Sequence, residues 1–241
     1  MKKRRFVIGD IHGAHKALIQ CLERSSFDYE KDTLISLGDV ADGWSQVPEC
    51  FEELRKVKNL IFVMGNHDDY LREWLKFGSI DSNWLKNGGQ TSIDAYEAYR
   101  PYDIRHVHEK MLDKSVFYYE MDNMLFVHGG YDWHNPISEA YVQDLMWDRH
   151  MWITAYYWQR QYDKGNDILR FIGDYDNVFI GHTTTSHFDK TLNPVKLSNV
   201  WNIDQGAGYY GKLTIMDIDT KEYWQSDQVQ ELYPDEKGRR G

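Results

Sequence analysis

Cysteine, long apolar runs and clustered positive charge are all scarce in these 241 residues. The two cysteines, Cys21 and Cys50, fall in stretches read as helical, so no disulfide framework is implied and a reducing compartment fits. No segment approaches the ~20 consecutive apolar residues of a membrane-spanning helix. The apolar run in MKKRRFVIGD stops after three residues, too short for a secretory signal core. A soluble, cytoplasmic protein is the expectation. The formal net charge is −10, with acidic residues dispersed along the chain. An extended nucleic-acid footprint needs a basic stripe and is not expected. The two basic clusters, KKRR at 2–5 and GRRG at 238–241, read as solvated termini. Internal repeats, low-complexity tracts and linkers are also missing. With 41% apolar residues, one domain over 1–241 is expected, with 228–241 as a flexible tail.

What the chain does contain is a set of five short segments. They are GDIHG at 9–13, GDVADG at 38–43, GNHD at 65–68, VHGG at 127–130 and IGHT at 180–183. Each follows a β-rich apolar run (FVI, TLISL, LIFVM, MLFV, VFI), which puts its Asp, His or Asn at the carboxyl end of a strand. Active sites of layered α/β proteins lie there. A single Asp-x-His arises by chance, but five ordered segments of matching type do not. The pattern points to a two-metal phosphoesterase. The remaining histidines His15, His106, His108, His134, His150 and His187 stand outside these segments and read as surface or hydrogen-bonded structural residues. Gly9, Gly38, Gly65, Gly129 and Gly181 suit tight strand exits. The aromatic content, 15% with nine Trp, reads as core and cap packing because basic residues are not interleaved with it. Glu52 and Glu53 read as solvated surface.

The first seventy-odd residues alternate strand and helix. Leu18, Ile19 and Leu22 share one face of a helix over about 14–24, and Pro48 suits the first turn of a second. A third helix carries Leu71, Trp74 and Leu75. This βαβαβα order predicts parallel strands with right-handed crossovers, hence a mixed α/β fold. Residues 78–113 are aromatic and polar, and a helical cap is expected there. SVFYYEM and MLFVH flank Asp122-Asn123 as a hairpin. A helical excursion follows over 138–172. Strands near 177–180, 200–203, 211–218 and 221–225 would form a second, mixed sheet.

The five segments, in this order, resemble the phosphoprotein phosphatase branch of the calcineurin-like metallophosphoesterases, especially its bacterial and phage Ser/Thr phosphatases. WLKNGGQTSIDAY at 84–96 and VWNIDQGAGYYGKLTIMDIDTKEYWQSD at 200–227 extend the resemblance, which covers about residues 5–227. It implies a two-sheet β-sandwich flanked by helices, with metals at one edge. Asp10 and His12 would hold a first metal, Asp39 would bridge, and Asn66, His128 and His182 would complete the second. Such donors suit Mn²⁺, with Fe or Zn²⁺ as alternatives. Two divalent ions bring +4 against −2 from Asp10 and Asp39, leaving a surplus for an anionic phosphate. The implied reaction is in-line attack by a metal-bridging hydroxide. His67 matches the family's general acid, Asp42 the carboxylate that orients it, and Arg149 its phosphate-clamping arginine.

One position departs from the family pattern. Its second motif reads GDxxDRG, whereas this chain has Gly43 at the arginine and Trp44 at the following glycine. Either another cation, for instance from residues 84–110, takes over, or the substrate carries less charge at phosphorus, as a diester does. The resemblance implies a phosphomonoesterase acting on a phosphorylated protein or small phosphoester. Symmetrical diadenosine tetraphosphate hydrolysis and phosphodiesterase action are the alternatives, and a silent scaffold is disfavoured by the complete ligand set.

Overall fold

The computed structural model describes residues 3–101, 103–162 and 171–240. Strands β1 (Arg5–Ile8), β2 (Thr33–Ser36) and β3 (Asn59–Phe62) pair in parallel, joined by helices α1 (His15–Arg24) and α2 (Val47–Arg55). Helix α1 buries Ala17, Leu18, Cys21 and Leu22, so Leu18 and Leu22 face the core as expected while Ile19 is only half-buried. Pro48 lies in the first turn of α2, where its missing N–H costs nothing. Helix α3 (Asn66–Phe77) starts four residues after β3 and stops at Gly78, which takes the left-handed conformation at φ 68°. Glu53, expected in solvent, is buried on α2, where Tyr29 and Lys56 each donate to its carboxylate at 2.6 Å.

The expected cap region contains α4 (Ser82–Trp84), an irregular turn over Leu85–Gly89, α5 (Gln90–Ala98) and α6 (Ile104–Leu112). Strands β4 (Tyr118–Met121) and β5 (Met124–Val127) form the expected hairpin, with Asp122 and Asn123 both at positive φ. Helices α7 (Val142–Trp147) and α8 (His150–Tyr162) occupy the expected helical excursion, whose residues 163–170 lie outside those described. Next come β6 (Asn177–Ile180), β7 (Val195–Leu197), β8 (Val200–Asn202), β9 (Thr214–Asp217), β10 (Tyr223–Gln225) and α9 (Val229–Leu232).

The strands make two five-stranded sheets, ordered β10-β9-β1-β2-β3 and β4-β5-β6-β8-β7. Each sheet has three adjacent parallel strands: in the first, β1, β2 and β3 run to one edge with β9 and β10 added on the other side, and in the second, β5, β6 and β8 form the centre between antiparallel β4 and β7. The last two strands therefore differ from expectation. Instead of joining the second sheet, β9 runs antiparallel beside β1 and β10 beside β9. All four residues of β9 are buried, so its composition suits either sheet, and pairing with β1 selects one.

Period-two alternation sorts the core into three layers. Val7, Ile35, Leu37, Val63 and Met216 from the first sheet meet Met124, Phe126, Phe179 and Ile203 from the second. The Phe126 and Phe179 rings stack at 5.0 Å between centroids. The alternate residues Phe6, Ile8 and Leu34 pack under the helices on one side, and Leu125, Val127, Val178 and Ile180 do so on the other. A sandwich flanked by helices results, as expected. Residues 228–240, expected as a flexible tail, are packed: Val229 and Tyr233 are buried, and the segment closes in a short turn over Gly238–Arg240.

Candidate metal centre

The parallel strands of both sheets deliver polar residues at their carboxyl ends. Asp10 and His12 follow β1, Asp39 and Asp42 follow β2, and Asn66 and His67 open α3 just beyond β3. From the other sheet, His128 follows β5 and His182 follows β6. All eight are buried. The structure thus brings together every ligand candidate read from the sequence, along with His67 and Asp42.

Two groups could each hold a cation: Asp10, His12 and Asp39, and Asp39, His128 and His182. Asp39 belongs to both. Its Oδ2 lies 3.7 Å from His12 Nε2 and 3.3 Å from His128 Nε2, while Asn66 Oδ1 lies 3.2 Å from the same His128 nitrogen. Backbone carbonyls set the imidazole tautomers. His12 Nδ1 donates to Ala41 O at 2.9 Å and His128 Nδ1 to Leu37 O at 2.7 Å, which leaves each Nε2 on the carboxylate side as the atom a cation would take. His182 Nε2 is buried with no hydrogen-bond partner, the state expected of a ligand nitrogen awaiting a cation. The hard oxygen and imidazole donors fit divalent transition metals.

The backbone is strained where the site is built. His12, Asp39, Asp42 and His182 have φ of 50°, 50°, 68° and 63°, the left-handed region that non-glycine residues avoid. Such conformations cost about 1–3 kcal/mol each and persist when the surroundings hold them. Asp68 supplies part of that hold, accepting from Val40 N at 2.9 Å, Ala41 N at 3.0 Å and Gly65 N at 3.3 Å. Glycines allow the close approaches. A Cβ on Gly65 would lie 2.2 Å from Asp39 Oδ1, and one on Gly181 would lie 2.1 Å from Asp10 Oδ1. Gly181→Ala is therefore expected to displace the Asp10 carboxylate and weaken metal binding roughly 10- to 100-fold. Calorimetric metal titration of the folded variant checks this, and unchanged affinity would refute it.

The electrostatics are those of a cation site. Burial and the nearby Asp204 carboxylate push Asp10 well above the usual carboxylate range. Burial would raise Asp39 too, but His128, His67 and His12 hold it well below. Burial opposes charge on His128, yet Asp39 and Asp10 together lift it to about 9. His182 is pushed down by burial, His128 and Arg149. Mutually repelling buried carboxylates of this kind are relieved by a bound cation.

Beside the two groups, His67 Nδ1 donates to Asp42 Oδ2 at 2.5 Å, and its Nε2 lies 4.0 Å from Asp39 Oδ2. Asp42 is held from the cap region: Trp84 Nε1 donates to Oδ2 at 2.8 Å and Ser92 Oγ to Oδ1 at 2.6 Å. The 84–96 segment singled out in the sequence thus fixes the carboxylate that orients His67. Arg149, between α7 and α8, donates through Nη1 to His182 O at 2.9 Å and Thr183 Oγ1 at 3.2 Å. With His12, His182, Asp204, Tyr209 and Arg239 it lines a cavity of about 210 Å³. Of these, Tyr209, Asp204 and Arg239 were missed in the sequence. Asp204, buried after β8, stands in IDQG with no Asp/His pair to mark it. Arg239 sits in a terminal basic cluster that reads as solvated.

Two facing sheets with metal-type donors at their strand ends are the arrangement expected of a metallophosphoesterase. The chain belongs to the calcineurin-like phosphoesterase family, whose model matches residues 3–186, and it is a phosphoric ester hydrolase. Serine/threonine-protein phosphatase 1 of Salmonella typhimurium is 24% identical, over 88% of this chain and 91% of that protein. The symmetrical bis(5'-nucleosyl)-tetraphosphatase of Proteus mirabilis is 40% identical over a shorter stretch, 37% of this chain and 40% of that protein. Among solved structures, a protein serine/threonine phosphatase from Saccharomyces cerevisiae shares the fold at TM-score 0.60, with 15% identity over 99% of this chain and 84% of that one. Among the described residues, no helix is long and apolar enough to cross a membrane.

Proposed function

We propose that this chain is a two-metal phosphomonoesterase of the Ser/Thr protein phosphatase kind. The observation that carries the reading is the membership of Asp39 in both potential metal groups, with the His67–Asp42 pair alongside. Asp10 and His12 would hold one ion, Asn66, His128 and His182 the other, with Asp39 between them. Two bound divalent ions, most simply Mn²⁺, would supply Lewis-acid polarisation of the phosphoryl group and a water activated at neutral pH. The chain's residues do the rest. Asp42 holds the His67 ring through Nδ1, which leaves Nε2 to protonate the departing alkoxide. Trp84 and Ser92 lock Asp42, so the acid is positioned before substrate arrives.

Arg149 Nη1 is tied to the His182 loop on the wall of the 210 Å³ cavity, and its guanidinium would bind phosphoryl oxygens there. Arg149→Ala is expected to raise KM for a phosphomonoester roughly tenfold or more, with metal content unchanged. Steady-state kinetics check this, and an unaltered KM would remove Arg149 from the substrate site.

A second reading is symmetrical cleavage of a dinucleoside tetraphosphate. It is favoured by a cleft of about 510 Å³ beside Asn66 that carries Tyr70 and Trp147, aromatic faces able to stack a base. The experiment compares phosphate release from a phosphoserine peptide with ADP release from diadenosine tetraphosphate, using chelator-stripped protein with Mn²⁺ restored. Preference for the peptide supports the leading reading. Preference for the dinucleotide replaces it with the second, and activity on neither overturns both.

A further inference from the structure

Gly43 and Trp44, the two departures from the family pattern, meet the same piece of chain. Gly43 has φ +96°, and a Cβ built there would lie 3.1 Å from Arg239 Cγ. A side chain at 43 would press on Arg239 and on His12, whose O and Cβ would lie 3.1 and 3.2 Å from that Cβ, so Arg239 would have to shift. Arg239 reaches it from the C-terminal turn, where its backbone N donates to Gly208 O at 2.9 Å. Its Nε faces Asn87 O at 3.4 Å, its guanidinium lies 5.1 Å from the Tyr209 ring centre, and Nη1 comes 3.3 Å from His12 Nε2. Trp44 is the platform for that turn. Its indole stacks on Tyr233 at 5.2 Å and donates to Ala207 O at 2.7 Å, and Gly238 passes so close that a Cβ there would fall 2.8 Å from the indole. Ser45 adds a two-point clamp, its N and Oγ donating to the Glu236 carboxylate at 2.9 and 2.8 Å. Tyr233 OH also donates to Gln46 at 2.7 Å. Three consecutive residues after Gly43 therefore hold the terminal segment in place.

We propose that Arg239 is the second phosphate-binding arginine of this enzyme, delivered by the C-terminal segment into the space that Gly43 leaves open. This inference rests on the phosphoesterase reading of the centre. Arg149 and Arg239 line the same cavity together with His12 and His182, so two guanidinium groups face the place where a phosphoryl group would meet the candidate metal ligands. Among the described residues, no carboxylate lies within ion-pair distance of Arg239, whose polar side-chain contacts are the Asn87 carbonyl and His12. Its remaining N–H donors are thus open to an anion, and a guanidinium can fork two phosphate oxygens. The cation therefore comes from the C-terminal turn rather than from residues 84–110. The substrate it suits is a dianionic monoester. A diester, with one fewer charged oxygen, would gain less from a second guanidinium.

The test uses the full chain loaded with Mn²⁺, comparing wild type, Arg239→Ala and Arg239→Lys. Calorimetry measures inorganic phosphate affinity independently of turnover. Kinetics then compare 4-nitrophenyl phosphate with bis(4-nitrophenyl) phosphate, and metal content and melting temperature report integrity. The expected result for Arg239→Ala is phosphate binding weakened about 10- to 100-fold, with Arg239→Lys intermediate. Monoester kcat/KM should fall further than diester kcat/KM, and added guanidinium ion should restore part of the phosphate affinity. Phosphate affinity and monoester kcat/KM within about threefold of an active wild type would overturn the assignment alone. Increased affinity or turnover in Arg239→Ala would overturn it by making the guanidinium an obstruction. A metal-loaded wild type that neither binds phosphate nor cleaves any phosphoester would bring down the phosphoesterase reading and this inference with it.

Discussion

Asp39→Asn is expected to abolish metal-dependent turnover, by about 10³-fold or more, which corresponds to roughly 4 kcal/mol of transition-state stabilisation. The size follows from one carboxylate lying in both groups that could hold a cation. An Asn at 39 can still accept from His67 N, which reaches Oδ1 at 2.9 Å, so local geometry survives. What changes is charge. The amide would present an N–H₂ group or a neutral oxygen toward His12 and His128, where a shared anion stood. The metal-free variant should melt somewhat lower than wild type, because the carboxylate that His128, His67 and His12 hold well below the usual range has lost its charge. Its stabilisation by added Mn²⁺ should shrink, as mass-action linkage requires when affinity falls. Melting curves with and without metal separate this from misfolding. A variant that retains wild-type activity would refute the shared role of Asp39.

His67→Asn should produce the second largest loss, with a different signature. General acid catalysis contributes roughly 10²- to 10⁴-fold when the leaving group needs a proton. Turnover of a phosphoserine peptide, whose alkoxide is a poor leaving group, should fall by that range. Turnover of 4-nitrophenyl phosphate should fall far less, because nitrophenolate departs unprotonated. KM and metal content should change little, since His67 lies beside the two potential metal groups without belonging to either. Asp42→Asn should show the same leaving-group dependence more weakly, because Trp84 and Ser92 still constrain position 42. Equal losses on both substrates would remove His67 from the acid role.

Much of the site was legible because its residues are carried in short local segments at strand ends. Asp10-x-His12 or Asn66-His67 can be read without knowing what lies across the fold. The parallel βαβ start was equally readable, since the α1 stripe and Pro48 are local signals. The illegible parts depend on contacts between distant positions. β9 is buried on both faces, and nothing in TIMD says which sheet it joins. β7 is three residues long, below any periodicity. Asp42 takes donors from Trp84 and Ser92, 42 and 50 positions away. Arg239 meets His12 across 227 positions, from a terminal cluster whose composition looks like solvent-exposed chain. The left-handed conformations at His12, Asp39, Asp42 and His182 are also not readable in sequence, because Asp and His, although enriched at positive φ among non-glycine residues, adopt it at only a minority of their positions. They become intelligible only once Asp68 and the close-packed Gly65 and Gly181 are seen holding them.

The most direct test of the central claim is metal stoichiometry measured together with activity. Chelator-stripped protein is titrated with Mn²⁺ in a calorimeter while phosphate release is followed on matched samples. Two ions should bind per chain, with activity rising with occupancy of the second and both lost in Asp39→Asn. Phosphate release that persists in metal-free protein, or full activity with a single ion bound, would contradict it.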